Sequence, residues 1–327
     1  MSFDNIKLEK GLYTTSKGFT KSLEELDPSE NYKGTEYEGL DAFQRQLKRF
    51  DIKVTGSDSD CVSKFFETSS SSVLFPEYIA RAVHQGIEEN TTLDKLIAAT
   101  TKIDALDYRA IQCNASEEDK ALMDVGEGAF IPETEITTKD SLTRLKKRGR
   151  MLVASYEAIK FQRLDMFTIM LKKIGDSIAK QQLADAVNVL KNSGAEEIDI
   201  AGDTIAYTDI IKLWNSFSPY NMTTMLCSSE LLPDLLNMDE FKDSNAGLVF
   251  HGTGKMITPL GAELEKIDSS LCEGIIGLDN NYALEKVQAG EVITEFDKLI
   301  DRQLERAVIS TITGFSTIFS DAVKLMG

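Results

Sequence analysis

Apolar residues along this chain change period several times, and each change predicts an element. From Glu38 to Phe50, Leu40, Phe43, Leu47 and Phe50 recur at spacings of three and four, the period of one helix face. Around them, Gly11, Gly18, Pro28, Gly34 and the serine-rich run from Ser57 to Ser72 read as an irregular, flexible arm that needs a surface to lie on. In LFPEYIARAVHQGIEENTTLDKLI, Pro76 opens a helix whose apolar side is Ile79, Val83 and Ile87.

From about Thr100 to Val153 the period shortens. TKIDALDYRAIQC and, beyond a polar turn from Glu117 to Gly128, AFIPETEITTKDSLTRLKKRGRMLV predict two extended arms, with Thr134, Ile136 and Thr138 alternating along the second. At ~3.3 Å per residue such a hairpin reaches about 45 Å. That is too far to rest on its own domain, and a two-stranded ribbon is marginal alone, so other chains are expected to support it.

The next stretch, Ser155 to Lys191, has strong helix-forming composition, with Ile159, Met166, Met170, Ile174 and Ile178 as its expected apolar stripe. A continuous helix there would span roughly 55 Å. Gly175 is a place for it to bend, and Gly194 stands at a natural C-cap position. Residues 203–282 mix helices (Thr208 to Phe217, Ser228 to Asn237) with short strands, as in a compact α+β lobe. ALEKVQAGEVITEFDKL reads as strand, and AVISTITGFSTIFSDAVKLM as helix or strand packing back on the long helix.

Composition narrows the function. The chain has 327 residues, 42% of them hydrophobic, enough for a sizeable core in two or more lobes. No apolar run approaches the ~20 residues of a membrane span, and charges near Met1 interrupt any signal-peptide core. Cys61, Cys113, Cys227 and Cys272 are widely spaced and, with only His84 and His251 to assist, predict reduced structural thiols and no zinc site. His251-Gly252-Thr253-Gly254-Lys255 fails as a phosphate loop, because Val249 and Met256 stand where Gly and Ser or Thr are required. The acid pairs Glu117-Glu118 and Glu196-Glu197 read as solvated surface, and two histidines without a GxSxG leave no nucleophile reading. No catalytic residue, cofactor or metal is expected.

Charge is the remaining signal. The formal net charge is -17, yet Lys139, Arg144, Lys146, Lys147, Arg148 and Arg150 crowd one short segment against Asp140 alone. Without interleaved aromatics this is no single-strand nucleic-acid platform. A basic arm on an acidic body is complementary to another copy of itself, which makes these six residues candidate inter-subunit contacts.

Arm, long hairpin, long helix, inserted lobe and C-terminal return are also an order of parts with a precedent. In that order, and in LFPEYIARAV, in IPETEITTKDSLTRLKKRGRMLVASYEAIKFQRLD (Ile131 to Asp165) and in GLDNNYALEKVQAGEVITEFDKLIDRQLERA (Gly277 to Ala307), the chain resembles the Hong Kong 97 fold of tailed-bacteriophage major capsid proteins. The resemblance implies an α+β capsid fold with an N-terminal extension (1–72), an N-arm (73–99), an extended loop (100–153), a peripheral domain with a spine helix (154–202 and 283–327) and an axial domain (203–282). It implies a structural protein of the virion, assembled in the bacterial cytoplasm. Its partners would be further copies in hexamers and pentamers, packaged double-stranded DNA held without sequence specificity, and portal, scaffold or decoration proteins, with no membrane. Some relatives join a loop lysine to a neighbour's asparagine; Lys139 or Lys146 and Asn280 or Asn281 are of the right types, and no residue singles out a pair. An encapsulin-type nanocompartment shell shares the fold and is the first alternative. A soluble cytosolic α+β enzyme with an unrecognised site is the second.

Overall fold

A computed structural model describes residues 3–13, 18–105, 107–113, 124, 127, 136–139, 142–155, 157, 161–200, 202, 205–243, 255–290, 292–299 and 304–327. It divides into two compact units, one of residues 1–90, 148–179 and 291–311, the other of residues 91–147, 180–290 and 312–327.

The first unit is built where two helices touch without side chains between them. A Cβ on Gly86, in the helix Phe75–Glu88, would lie 2.1 Å from the Lys172 carbonyl oxygen, and one on Gly175 would lie 2.2 Å from that of Val83. Gly175 therefore does not bend the long helix, which runs unbroken from Leu164 to Lys191; it lets a second backbone approach. Around this crossing, Leu74, Phe75, Ile79 and Val83 pack with Leu164, Leu171 and Ile178 in one core, with Ile87 at its edge.

The long helix corrects two expectations. It begins at Leu164, because Ser155 closes a strand, Lys146–Ser155, that pairs with the strand Leu304–Thr317. Sheet pairing overrides the helical propensity of that stretch. Met166 and Met170 are 52% and 60% exposed, whereas Ile174 and Ile178 of the same expected stripe do pack in the core, beside Leu164 and Leu171. From Met166 to Ile178 the expected stripe advances four residues at a time, and each such step rotates about 40° around the axis, so those two residues cannot share a face. Ile159 lies outside the described residues.

The segment before residue 73, expected to be a flexible arm around one helix, is folded. Phe19–Leu26 is a helix and Ala42–Arg49 a second one, its N-terminus closed by a capping box between Asp41 and Gln44. Phe43 and Leu47 are buried as their spacing requires, Phe50 packs at the edge of the core, and Leu40 contributes its carbonyl oxygen to Arg45. The serine-rich stretch is a 3-10 turn, Val62–Phe66, and a single helical turn, Ser69–Ser72, in which Val62, Phe65 and Ser71 are buried. The serines misled because their hydroxyls bond locally: Ser71 Oγ donates to the Phe65 carbonyl at 2.8 Å, and Thr68 caps the turn.

Arg45 is wholly buried, and its guanidinium meets Asp27 Oδ2 at 2.6 Å, the Asp27 carbonyl at 2.6 Å and the Tyr32 ring at 4.2 Å. Tyr32 donates to the other oxygen of Asp27 at 2.6 Å. A charge this deep survives only because every side of it is answered.

In the second unit a five-stranded sheet is covered on both faces, so its central strands, Thr224–Ser228 and Ile275–Leu278, are buried without alternation. Thr224–Ser228 is flanked by Glu263–Ile267 (parallel) and Ile275–Leu278 (antiparallel), and the sheet continues through Val323–Met326 to Glu196–Ile198. Leu226, Ile276 and Val323 face Leu183, Val187 and Leu190 of the long helix; Met225, Cys227 and Ile275 face Ile210, Leu213 and Phe217. Ser228 therefore ends a strand where a helix was expected to start, and the helix is only Leu232–Leu236; the other expected helix is Tyr207–Asn215. The two-way C-terminal reading resolves to strand, Leu304–Thr317 and Val323–Met326. The long helix ends at Lys191, with Gly194 beyond it at φ 75°.

Two predictions follow from the first unit. Gly86→Val or Gly175→Val should lower the thermal midpoint by the equivalent of about 3 kcal/mol or more, since a Cβ there strikes backbone that cannot rotate away; an unchanged midpoint in scanning calorimetry would refute the crossing. The second concerns alkali. Burial, helped by the bond to Asp27, pushes Tyr32 up to about 12, burial pushes Tyr78 up to about 12, and burial with the Glu77 charge raises Tyr13 further. Unfolded phenols ionise near ~10 while these stay protonated in the fold, so their contribution to stability is whole below that pH and declines as pH rises toward ~12. Circular dichroism and tyrosinate absorbance should change together in that window; full tyrosinate absorbance with folded dichroism would contradict the burial.

Candidate inter-subunit surfaces

The basic segment belongs to the second arm of a hairpin with two strand pairs at its base. Asp107–Tyr108 pairs antiparallel with Thr143–Arg144, and Ile111–Cys113 with Ile136–Thr138. Glu117, Glu118 and Thr134, near the expected tip, lie outside the described residues, as does the loop His251 to Gly254. The base is fixed to its own unit. Tyr108 OH donates to Glu285 Oε1 at 2.7 Å, and Thr101 Oγ1 donates to the same oxygen at 2.5 Å. Glu285 stands on Leu284–Ala289, which pairs in parallel with Ile97–Ile103 and antiparallel with residues 313–317. Burial and the bond to Glu285 raise the Tyr108 phenol above its ordinary range, so this donor stays protonated.

The six candidate residues separate into two kinds. Lys139 is half-buried and donates to the Thr317 carbonyl at 2.5 Å; burial lowers its pKa, opposed by Glu285. Lys146 reaches Asp185 at 2.7 Å. Both serve their own subunit, which leaves neither reaching for a neighbour's asparagine in this arrangement. Arg144, Lys147 and Arg150 are exposed along the strand arm, and Arg148 is partly covered. Asn280 accepts a hydrogen bond from Thr223 at 3.0 Å and Asn281 donates to Asp279 at 3.0 Å, so both turn asparagines are engaged locally. Glu196 holds Lys324 at 2.7 Å across neighbouring strands, and that lysine keeps its carboxyl below the usual range.

A feature missed from sequence lies in the first unit. Met166, Ile169 and Met170 occupy one exposed face of the long helix, Phe161 just before it is 74% exposed, and Met151 and Val153 are exposed on one face of their strand while Leu152 packs inward. The signal lies in the i, i+3, i+4 spacing of three large apolar residues, of which the sequence reading places Met166 and Met170 in the core stripe and leaves Ile169 unassigned. No group of His, Cys, Asp or Glu suited to hold a metal occurs among the described residues, and none of their helices is long and apolar enough to cross a membrane.

Residues 138–272 match the family model described as phage capsid protein. No curated protein sequence matches the chain. Among solved structures it is similar to a virus-like particle from Pyrococcus furiosus (TM-score 0.53, 12% identity, covering 77% of this chain and 98% of that one). It is similar also to the capsid of a native GTA particle (0.54, 12%, 74% and 89%) and to Microbacterium phage Oxtober96 (0.51, 10%, 70% and 88%). The fold is thus of the Hong Kong 97 type, and together with the family model it supports a major capsid protein.

The exposed charges generate a prediction. Replacing Arg144, Lys147 and Arg150 together by Glu should leave the thermal midpoint within the small range of surface changes and reduce association at least ~tenfold, because surface charge acts on encounter and register more than on folding. Sedimentation showing assemblies at wild-type yield would reduce the segment to a solvated face.

Proposed function

We propose that this chain is the major capsid subunit of a tailed bacteriophage or prophage, building an icosahedral shell around double-stranded DNA. The match of residues 138–272 to the phage capsid model, on a Hong Kong 97 fold, carries the reading. In that scheme residues 100–153 are the extended loop lying over a neighbour, 154–202 and 283–327 the peripheral domain, and 203–282 the axial domain meeting its copies around five- and six-fold positions. The mechanism is geometric: many weak contacts sum because each subunit engages several neighbours at once. Exposed arginines and lysines on the arm complement a net-acidic body, which gives register. The same acidity suits a container whose DNA must slide and not stick. Portal, scaffold or decoration proteins would complete the particle.

A second reading, an encapsulin-type compartment, is favoured by one observation: the chain covers 98% of the Pyrococcus furiosus virus-like particle protein. The two readings differ in content. Electron microscopy of particles purified from the native source should show closed shells holding nuclease-protected double-stranded DNA. Shells holding a protein cargo would select the second reading, and a monomer at all concentrations would remove both.

A further inference from the structure

We infer that residues 1–72 are a resident part of the folded subunit, a stabilising module clamped in cis on the helix Phe75–Glu88, and not an extension that leaves when the chain is cut. The first observation is that there is one core. Phe19, Leu23, Phe43, Leu47, Val62 and Phe65, all at most 6% exposed, pack in the same cluster as Phe75, Leu164 and Ile309. The segment therefore has no separate core of its own among these residues and shares that of the unit. Phe65 lies 5.3 Å from both Phe75 and Tyr78, centroid to centroid, and Phe66 lies 5.0 Å from Phe75, which in turn stacks on Phe167 at 6.1 Å. Removing the segment would bare this aromatic surface to water, at about 25 cal/mol for each Å2.

Backbone pairing joins the two parts as well. Val62 N donates to the Gln162 carbonyl and Leu164 N to the Asp60 carbonyl, each at 2.9 Å, so the first turn of the long helix has a donor answered by the N-terminal segment. Arg163 Nη2 adds a bond to the Ser57 carbonyl at 2.6 Å.

A polar clamp then crosses from three N-terminal stretches to one helix. Arg81 meets Glu77 at 2.8 Å on its own helix and Asp41, the N-cap of Ala42–Arg49, at 2.5 Å, and its guanidinium lies 4.4 Å from the centre of the Phe43 ring. Thr20 donates to Glu77, and Tyr13 OH donates to the Val73 carbonyl at 2.7 Å while accepting from Glu77 N at 3.0 Å. Apolar, backbone and ionic contacts point the same way. Holding by all three is a noncovalent interface inside one chain, and such an interface outlasts a break in the chain between its parts.

The test starts from the whole folded chain. The turn Lys33 to Glu36 is exposed and Gly34 has open space around it, so a site-specific protease recognition sequence inserted after Gly34 can be cut without touching the core. The two pieces should co-elute in size-exclusion chromatography in native buffer, melt in one transition and separate only in denaturant. Release of the N-terminal piece in native buffer would overturn the inference. In a second arm, Phe43→Asp with Leu47→Asp should raise the rate of proteolysis within residues 1–72 at least ~tenfold; resistance equal to wild type would likewise overturn it. A chain lacking residues 1–72 that folds with the wild-type thermal midpoint would do the same. All three are read on the soluble subunit, so they stand or fall independently of shell assembly.

Discussion

The constraint from which the first unit grows is a backbone contact. Helices normally keep 8–10 Å between axes because side chains stand between them; Gly86 and Gly175 remove those side chains from both partners at one crossing. That close approach brings Phe75, Ile79 and Val83 onto Leu164 and Leu171 and makes the aromatic surface on which the N-terminal segment lies. Ionic contacts then sit on a geometry already determined: Arg81 reaches Asp41 because Phe43 is buried beneath it, and Arg45 reaches Asp27 because two short helices have been brought together.

The second unit follows a different logic. Its central sheet is buried on both faces, so the runs Thr224–Ser228 and Ile275–Leu278 carry apolar residues in both directions and show no alternation. The hairpin grows from the neighbouring strands and is held by polar atoms: Glu285 accepts from two strands at once, and Lys139 closes on a main-chain carbonyl. The hairpin thus has its direction determined at the root, where Arg144 and Lys147 are exposed beside these anchored positions.

Much of this was legible in residue order. The Phe43 and Leu47 spacing, the Pro76 helix and the stop near Gly194 are local patterns, and local patterns act over a few residues. The hairpin arms pair with each other, among the described residues, only at 107–113 and 136–144; Ile97–Ile103 and Lys146–Ser155 lie instead on the chain's own strands Leu284–Ala289 and Leu304–Thr317, which the expectation of support from other chains did not foresee. The misreadings have separate causes. Ser155 was given to a helix and Ser228 to another because propensity is summed along the chain, while their strands exist only through partners far off in sequence. Met166 and Met170 were placed in the core because hydrophobicity alone does not say which of two apolar faces finds a neighbour. The polarity of residues 1–72 hid a folded module since its serines and acids are spent on caps and on two buried or half-buried arginines. Of the candidate contacts, Lys139 and Lys146 have partners within the subunit that no charge count could reveal.

The strand pairing also carries a consequence for the timing of synthesis. Residues 97–103 find their parallel partner only at residues 284–289, and residues 196–198 are completed only by residues 323–326. Pairings so distant in sequence form slowly and late. A chain still emerging from the ribosome can fold its helical N-terminal segment before either five-stranded sheet has all its strands. The order of synthesis is therefore also an order of folding, in which the helical segment comes first and the base of the hairpin is anchored only once Glu285 and Thr317 have been made.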